Sequence, residues 1–297
     1  MEESNISARA LVIYNPAAGN GKAERLYHHL KPTIDTLGIP VERTARPGHA
    51  TEIARQVASD RELTVISLGG DGTHHEVING LMPEAGPIFA VLPAGTGNDL
   101  VRMLHYPKNP IEMLNLALDG PTKAFDIGQA GPHYFLTVAG VGFDAEVAGW
   151  VNQRKKQGNG TWVFIRGIFY NLFGYRSASL EVTLSTATRS EKTFLLAAGN
   201  TQYYAGGMKI CPGASPFDGR FEVIWVHAVS PLGVLPLLAK VFRGAHVTDS
   251  KVKVLSAPEL TVKGPDRLLV HADGELIGHL PISFKTLPHA IRVRTGG

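Results

Sequence analysis

The sequence predicts an α/β domain followed by a mostly β domain, with the active site in the cleft between them. Three observations carry this. Up to about residue 120, short Val/Ile/Leu runs alternate with helical stretches; beyond it, strand-like runs separated by turn dipeptides dominate; and glycine-rich loops follow the apolar runs of the first part. Apolar strands set between helices argue a parallel sheet covered on both faces. The first part reads as strand 10–14, helix 23–37, strand 41–44, helix 50–58, strand 63–68, helix 76–82, strand 88–92 and helices near 99–104 and 111–118. Leu26, Leu30, Ile34 and Leu37 recur at helical spacing and predict one buried face. Asp119-Gly120-Pro121 breaks the alternation, so the domains are expected at 1–122 and 123–297, with the last strand a candidate to return to the first. In the second part the strand candidates are 135–139, 180–185, 194–198, 221–226, 251–255, 268–272 and 282–286, with one helical excursion at 231–242. Asp218-Gly219 and Asp273-Gly274 are turn dipeptides of the kind that join strands, and an antiparallel sandwich is expected.

The composition is that of a globular chain: 297 residues, 44% apolar and 19% charged. Its one cysteine, Cys211, excludes an internal disulfide and suits a reducing compartment. Met1 to Arg9, with Glu2 and Glu3, lacks the apolar core of a signal peptide, and no run of about 18 apolar residues occurs. A net charge of +3 is too mild to argue nucleic-acid binding. A cytoplasmic protein is expected.

Two loops carry the chemistry: Leu68-Gly69-Gly70-Asp71-Gly72-Thr73 and Leu92-Pro93-Ala94-Gly95-Thr96-Gly97-Asn98-Asp99. Each follows a buried strand and opens a helical stretch, where glycines let the backbone approach an anion and helix-start N–H groups point at it. An Asp within such a loop makes sense beside phosphate when a divalent cation lies between them, so the pair predicts a Mg-nucleotide site. The blander alternative is that Thr73 and Thr96 cap helices, since Thr73-x-x-Glu76 and Thr96-x-x-Asp99 both fit a capping box. A third loop, Asn15 to Lys22, is neither a Walker A loop, because Pro16 holds its first glycine position, nor a dinucleotide fingerprint. Beside the other two it becomes a third wall of the phosphate site. His74 and His75 are adjacent on a helix and point apart, which argues against a shared metal. Asp144 and Glu146 read as substrate-facing or as solvated.

Taken together, Asn15-Pro16-x-x-Gly19, Gly69-Gly70-Asp71-Gly72-Thr73 and Gly95-Thr96-Gly97-Asn98-Asp99 resemble the catalytic domain of the diacylglycerol kinase family, and the soluble bacterial lipid kinases in particular. The likeness runs on through Gly140-Val141-Gly142-Phe143-Asp144-Ala145, Ala205-Gly206-Gly207-Met208, Cys211-Pro212-Gly213-Ala214 and Asp273-Gly274-Glu275. The first glycine-Asp loop alone is shared with NAD kinases and resembles phosphofructokinase. The resemblance implies a three-layer nucleotide-binding domain of that type and a β-sandwich lipid domain. It further implies ATP contacts at Asn15, Thr44, Gly69, Gly70, Gly72, Thr73, Gly95, Thr96 and Asn98, and Mg²⁺ organised by Asp71. Glu275 matches the family's general base, and Asp218 with the carbonyls of Ser215 and Arg220 matches a structural Mg²⁺ site. Read without the family, Asp273-Gly274 is a hairpin turn and Glu275 a solvated start of the next strand.

Gln153-Arg154-Lys155-Lys156, then Trp162, Phe164, Phe169, Tyr170, Phe173 and Tyr175 with Arg166 and Arg176, mix cations and aromatics. The mixture suits an interfacial patch on anionic lipid, while helical spacing favours aromatics that pack inward after an exposed basic loop. The reading is a lipid kinase acting at the inner membrane face: MgATP phosphorylates a lipid hydroxyl, with diacylglycerol the expected acceptor and homodimerisation left open. Its alternatives are an NAD kinase-like phosphotransferase and a catalytically silent nucleotide- or lipid-binding regulator.

Overall fold

The computed structural model describes residues 9–154, 160–185 and 187–297; Lys155 and Lys156 of the basic run, and residues 1–8, lie outside them. The chain divides into two compact units, Met1–Phe125 with Ala290–Gly297, and Asp126–His289. In the first unit, β1 (Ala10–Tyr14) leads to α1 (Lys22–Thr36), β2 (Val41–Arg43), α2 (His49–Gln56), β3 (Thr64–Gly69), α3 (Asp71–Leu81), β4 (Ile88–Pro93), α4 (Val101–Leu104) and α5 (Pro110–Asp119). Strands β2, β1, β3 and β4 lie side by side, all parallel, as the βαβ alternation requires. Alternate residues of these strands, among them Val12, Ile66, Leu68, Ala90 and Leu92, pack with Leu30 and Ile34 of α1 and Leu114 of α5. On the other face His74 of α3 sits edge-on to Phe89 and bonds the Ser67 hydroxyl at 2.8 Å. A Cβ at Gly80 would come within 2.6 Å of the Ala54 Cβ, so α2 and α3 pack at glycine distance. These are the three layers expected.

Two details of the expected helices change. Leu37 is exposed, because α1 stops there in a Schellman end: Ile39 N–H bonds Ile34 O across Gly38, whose φ is +64°. Helix α3 begins at Asp71 rather than Glu76, with Gly70 as its N-cap. Thr73 therefore stands inside the first turn, buried, and caps nothing. Thr96 fares alike, since α4 starts only at Val101.

The second unit takes up β5 (Thr122–Ala130) part-way along, followed by β6 (His133–Phe135), β7 (Val138–Gly142), α6 (Phe143–Asn152), α7 (Gly160–Leu172), β8 (Ala178–Leu184), β9 (Ala187–Gly199), β10 (Phe221–His227), α8 (Pro231–Val241), β11 (Val252–Ala257), β12 (Glu259–Lys263), β13 (Leu269–Ala272), β14 (Glu275–His279) and β15 (Ile282–Arg294). The last strand ends in the first unit, where Arg292 and Val293 pair in parallel with Ile88 and Phe89. Pairing within the second unit is antiparallel, in the order β14-β13-β7-β9-β8-β12-β15, with β10 between β9 and β11. Strand β9 explains the architecture. Its Leu196 and Ala198 enter one core with Trp225, Phe221 and Phe284, while Leu195 and Ala197 enter another under α6, α7 and α8. A strand buried on both faces reads as an unbroken apolar run, as Phe194 to Ala198 does.

Asp126, fully buried, ties distant segments of this unit together. Its carboxylate accepts the Gly219 N–H and the His289 N–H, both at 2.7 Å, and its carbonyl accepts the Asn200 amide at 2.9 Å. Asp126→Ala leaves two part-buried N–H donors without a charged acceptor. It is expected to cost about 2 kcal/mol, read as a lower urea midpoint at unchanged m-value.

Candidate active site

The three glycine loops end neighbouring strands β1, β3 and β4, so the parallel order itself collects them on one edge of the sheet. They touch. Asn15 Nδ2 donates to Thr73 Oγ1 at 3.0 Å, Asn15 N–H to Leu68 O at 3.0 Å, and Ala94 N–H to Gly69 O at 2.6 Å. A Cβ on Gly95 would stand 2.7 Å from Gly70 Cα and 2.9 Å from Asn98 Oδ1, and one on Gly19 would collide with the Ala94 carbonyl. A Cβ on Gly69 would meet that of Thr73 at 2.6 Å. These glycines are present because the loops lie backbone against backbone. Thr44 follows β2 on the same edge, its N–H bonded to Tyr14 O at 2.8 Å.

Asp71 is the clip between the second and third loops. Its Oδ2 accepts the Asn98 N–H at 2.9 Å and its Oδ1 the Asp99 N–H at 3.0 Å. Within the same cluster Asn98 Oδ1 is buried with no partner among the described residues. An orphaned acceptor beside a helix start suits a ligand that brings hydroxyls, N–H groups or a cation. The arrangement fits a Mg-nucleotide. His74 and His75 serve the fold instead: His74 is fully buried against Ser67, and His75 bonds Asn79 one turn on.

The second unit holds Glu275 at the end of a two-residue turn. Asp273 and Gly274 have φ of +51° and +81°, the left-handed pair that closes a tight hairpin, and Ala272 pairs with Glu275 across it. The turn is pinned. Asp273 accepts the N–H groups of Leu136 and Thr137 at 2.9 and 2.8 Å and the Thr137 hydroxyl at 2.6 Å. Glu275 is half-buried, and its Oε2 accepts the Asn152 amide at 3.3 Å; the same amide donates to Gly274 O at 3.0 Å. The solvated-strand reading of Glu275 is thereby corrected, although the hairpin is real.

Asp144 is 2% exposed, so it is not a solvated residue either. It lines an apolar cavity of about 600 Å³, mouth included, walled by α6, α7, α8 and the outer face of the sheet, with Phe143, Ile168, Leu195, Leu237 and Val252 among its sides. His246, on the wall, is buried and donates from Nε2 to Ile210 O at 2.9 Å; burial pushes its pKa below the ordinary 6.5. The aromatics on α7 and just after it divide. Phe164 faces the cavity, but Trp162, Tyr170 and Phe173 are 67%, 69% and 65% exposed, against the expectation that they pack inward. Asp218 is exposed and its Oδ1 accepts the Arg220 N–H at 3.0 Å, closing a turn. Among the described residues no group of three His, Cys, Asp or Glu side chains gathers around a common point, and no helix is long and apolar enough to cross a membrane. Sequence reasoning missed Asn152, His271 and the cavity; the one signal was the Gly140-to-Ala145 motif, whose spacing says nothing of partners far along the chain.

A parallel α/β unit with three glycine loops on one edge, and a β-sandwich unit with an apolar cavity, are the two parts that the sequence led one to expect of a lipid kinase. The comparisons agree. Residues 9–130 match the family described as diacylglycerol kinase catalytic domain, and residues 137–295 the YegS C-terminal NAD kinase beta sandwich-like domain. The chain is 30% identical over 292 residues to a diacylglycerol kinase of Staphylococcus haemolyticus, covering 96% of this chain and 88% of that one. To the diacylglycerol kinase of Bacillus subtilis it is 27% identical, over 96% and 95%. Two solved chains from Bacillus anthracis share the fold with TM-scores of 0.80 and 0.74 at 24% and 21% identity, each covering 97% of both chains. The protein belongs to the diacylglycerol kinase family and is a lipid kinase.

His246 makes stability pH-dependent. The unfolded chain protonates this imidazole near its ordinary pKa, whereas the fold keeps it neutral to lower pH. The contribution is therefore complete above about pH 6.5 and is lost as pH falls toward the depressed value. The thermal midpoint of wild type is expected to fall more steeply between about pH 7.5 and 5.5 than that of His246→Gln, which keeps the donor to Ile210.

Proposed function

We propose that this kinase transfers the γ-phosphate of MgATP to the free hydroxyl of diacylglycerol, giving phosphatidic acid. The observation that carries the nucleotide half is the contact of three glycine loops on one strand edge, with Asp71 clipping two of them and Asn98 Oδ1 left as an acceptor inside the cluster. Asn15, Thr44, Gly69, Gly70, Gly72, Thr73, Gly95, Thr96 and Asn98 would line the triphosphate, with backbone N–H groups as its donors. Asp71 supplies the negative charge that holds Mg²⁺ there. When bound, Mg²⁺ neutralises charge on the phosphate oxygens. Asp218, with the carbonyls of Ser215 and Arg220, offers hard oxygen donors and is the proposed second cation site.

The lipid half rests on the apolar cavity and on the names of the relatives. An acyl chain fills such a cavity without leaving polar groups unpaired, and Asp144 is its polar landmark. Glu275 is the proposed general base. It takes the proton of the lipid hydroxyl as that oxygen bonds to phosphorus, while the bond to the bridging oxygen breaks and ADP leaves with the electron pair. Trp162, Phe169, Tyr170 and Phe173, with Arg166 and Arg176, would rest on an anionic membrane surface. Leu232 and Leu235 are exposed on α8, so α7 and α8, two of the three cavity-walling helices, also present apolar side chains outward.

The test is transfer of labelled phosphate from MgATP to micelles of diacylglycerol, monoacylglycerol, phosphatidylglycerol, ceramide or sphingosine, with NAD as a soluble acceptor. Label is expected in diacylglycerol; label confined to another lipid, or to NAD, would overturn the substrate. Asp71→Asn, which keeps an oxygen for the loop N–H groups and removes the charge, should abolish Mg-dependent turnover in a folded protein. Glu275→Gln should lower kcat by roughly 100-fold or more while KM for ATP holds within about threefold.

A further inference from the structure

Next to the Asp273-Gly274 turn lies a buried histidine–carboxylate contact that the phosphate-transfer chemistry does not use. His271 and Asp144 are 1% and 2% exposed, and His271 Nε2 stands 3.1 Å from Asp144 Oδ2. The Gly274 N–H donates to His271 Nδ1 at 3.4 Å, a long bond that nonetheless makes Nδ1 the acceptor and puts the ring proton on Nε2, aimed at Asp144. The other oxygen of Asp144 accepts the Ala145 N–H at 2.9 Å. Gly140 pairs with His271 across β7 and β13. A Cβ there would stand 2.7 Å from His271 Nε2 and collide with Asp144 Oδ2. The glycine thus makes room for the pair, and the Gly140-to-Asp144 segment builds both halves of the cradle. Asn152, in the last turn of the same helix α6 that carries Asp144, donates to Gly274 O and to Glu275 Oε2.

We propose that the His271–Asp144 pair and Asn152 are positioning residues for Glu275, gripping Gly274 through the N–H of the peptide before it and the C=O of the peptide after it, so that the carboxylate is held in one orientation. Two buried polar side chains that meet at the cost of a neighbouring Cβ need a purpose beyond packing, because an apolar pair of similar volume would fill the space without desolvating a carboxylate. Orientation supplies it: a base displaced by about 1 Å loses on the order of 100-fold in rate. Asp144 also faces the cavity, so the grip on the turn starts from a residue of the proposed lipid wall. The inference rests on Glu275 being the base.

The experiment is a double-mutant cycle under saturating lipid, with single-turnover rates where kcat is low. His271→Leu is expected to lower kcat about 10- to 100-fold with KM for ATP within about twofold. His271→Asn, which keeps an acceptor at the position of Nδ1, should recover most of that loss. In the Glu275→Gln background, His271→Leu should cost nothing beyond about twofold, since a positioning residue has nothing left to position. Asn152→Ala, half-buried and at a helix end, should repeat the pattern and stands in if His271→Leu does not fold. Losses that multiply with Glu275→Gln, or a folded His271→Asn no better than His271→Leu, would overturn the positioning role alone. A Glu275→Gln enzyme with near-normal kcat would overturn the base assignment, and the positioning role with it.

Discussion

The closeness of Gly70 to Gly95 is the constraint on which the first unit depends. Two main chains that approach until neither tolerates a Cβ can do so only where the strands delivering them are adjacent and parallel, as β3 and β4 are. Asp71 then spans the contact and takes two N–H groups of the facing loop. One carboxylate therefore does two things: it fixes the shape of the loop pair, and it sets a negative charge among N–H groups that by themselves would attract an anion. In the proposed reading, loop geometry and the need for a cation follow from the same residue. For this reason Asp71→Asn and Asp71→Ala are different experiments, the first removing charge and the second removing the clip as well.

In the second unit the corresponding constraint is that β9 and β10 are buried on both faces. The sandwich core takes Leu196, Ala198, Val223 and Trp225, and the helical side takes Leu195, Ala197, Ile224 and Val226. The helices on that outer face leave a cavity rather than filling the space, and their remaining apolar side chains face water. Trp162, Tyr170 and Phe173 are exposed although Val163, Ile168 and Leu172 already bury the inward side of α7; of the three, Tyr170 also rests on Trp150 of α6, with ring centroids 5.5 Å apart. The proposed lipid acceptor would account for the exposed aromatics and the apolar cavity together.

How far the chain could be read beforehand follows from the range of each interaction. Parallel strands with helices between them announce themselves through local apolar runs, so β1, β3, β4 and the helices beside them were legible. Helix α3 was placed late because Thr73-x-x-Glu76 copies a capping box, while the true start lies at Gly70, where a loop glycine rather than a hydroxyl begins the helix. Strands β5 and β12 were missed since their outward residues are polar, lysines and threonines among them, and the pairing that makes them strands comes from far along the chain. Helix α6 was hidden for another reason. It opens from Gly142, whose φ of +103° no cap signal advertises, and its buried acid reads as polar surface until His271 is found opposite.

The Asp273-Gly274-Glu275 segment shows why turn and site should not be weighed as rivals. Residues with φ of +51° and +81° make a hairpin that needs nothing more to be a good turn. Yet this one is held by three bonds into Asp273, by Asn152 from α6 and by a buried imidazole next to it. A turn that only reversed the chain would gain little from so many constraints, because β13 and β14 already fix its ends through their pairing. What the extra bonds restrict is the direction of the residue that leaves the turn, Glu275. Rigidity in excess of what folding needs, concentrated behind a single carboxylate, is the physical form that preorganisation of the proposed base would take.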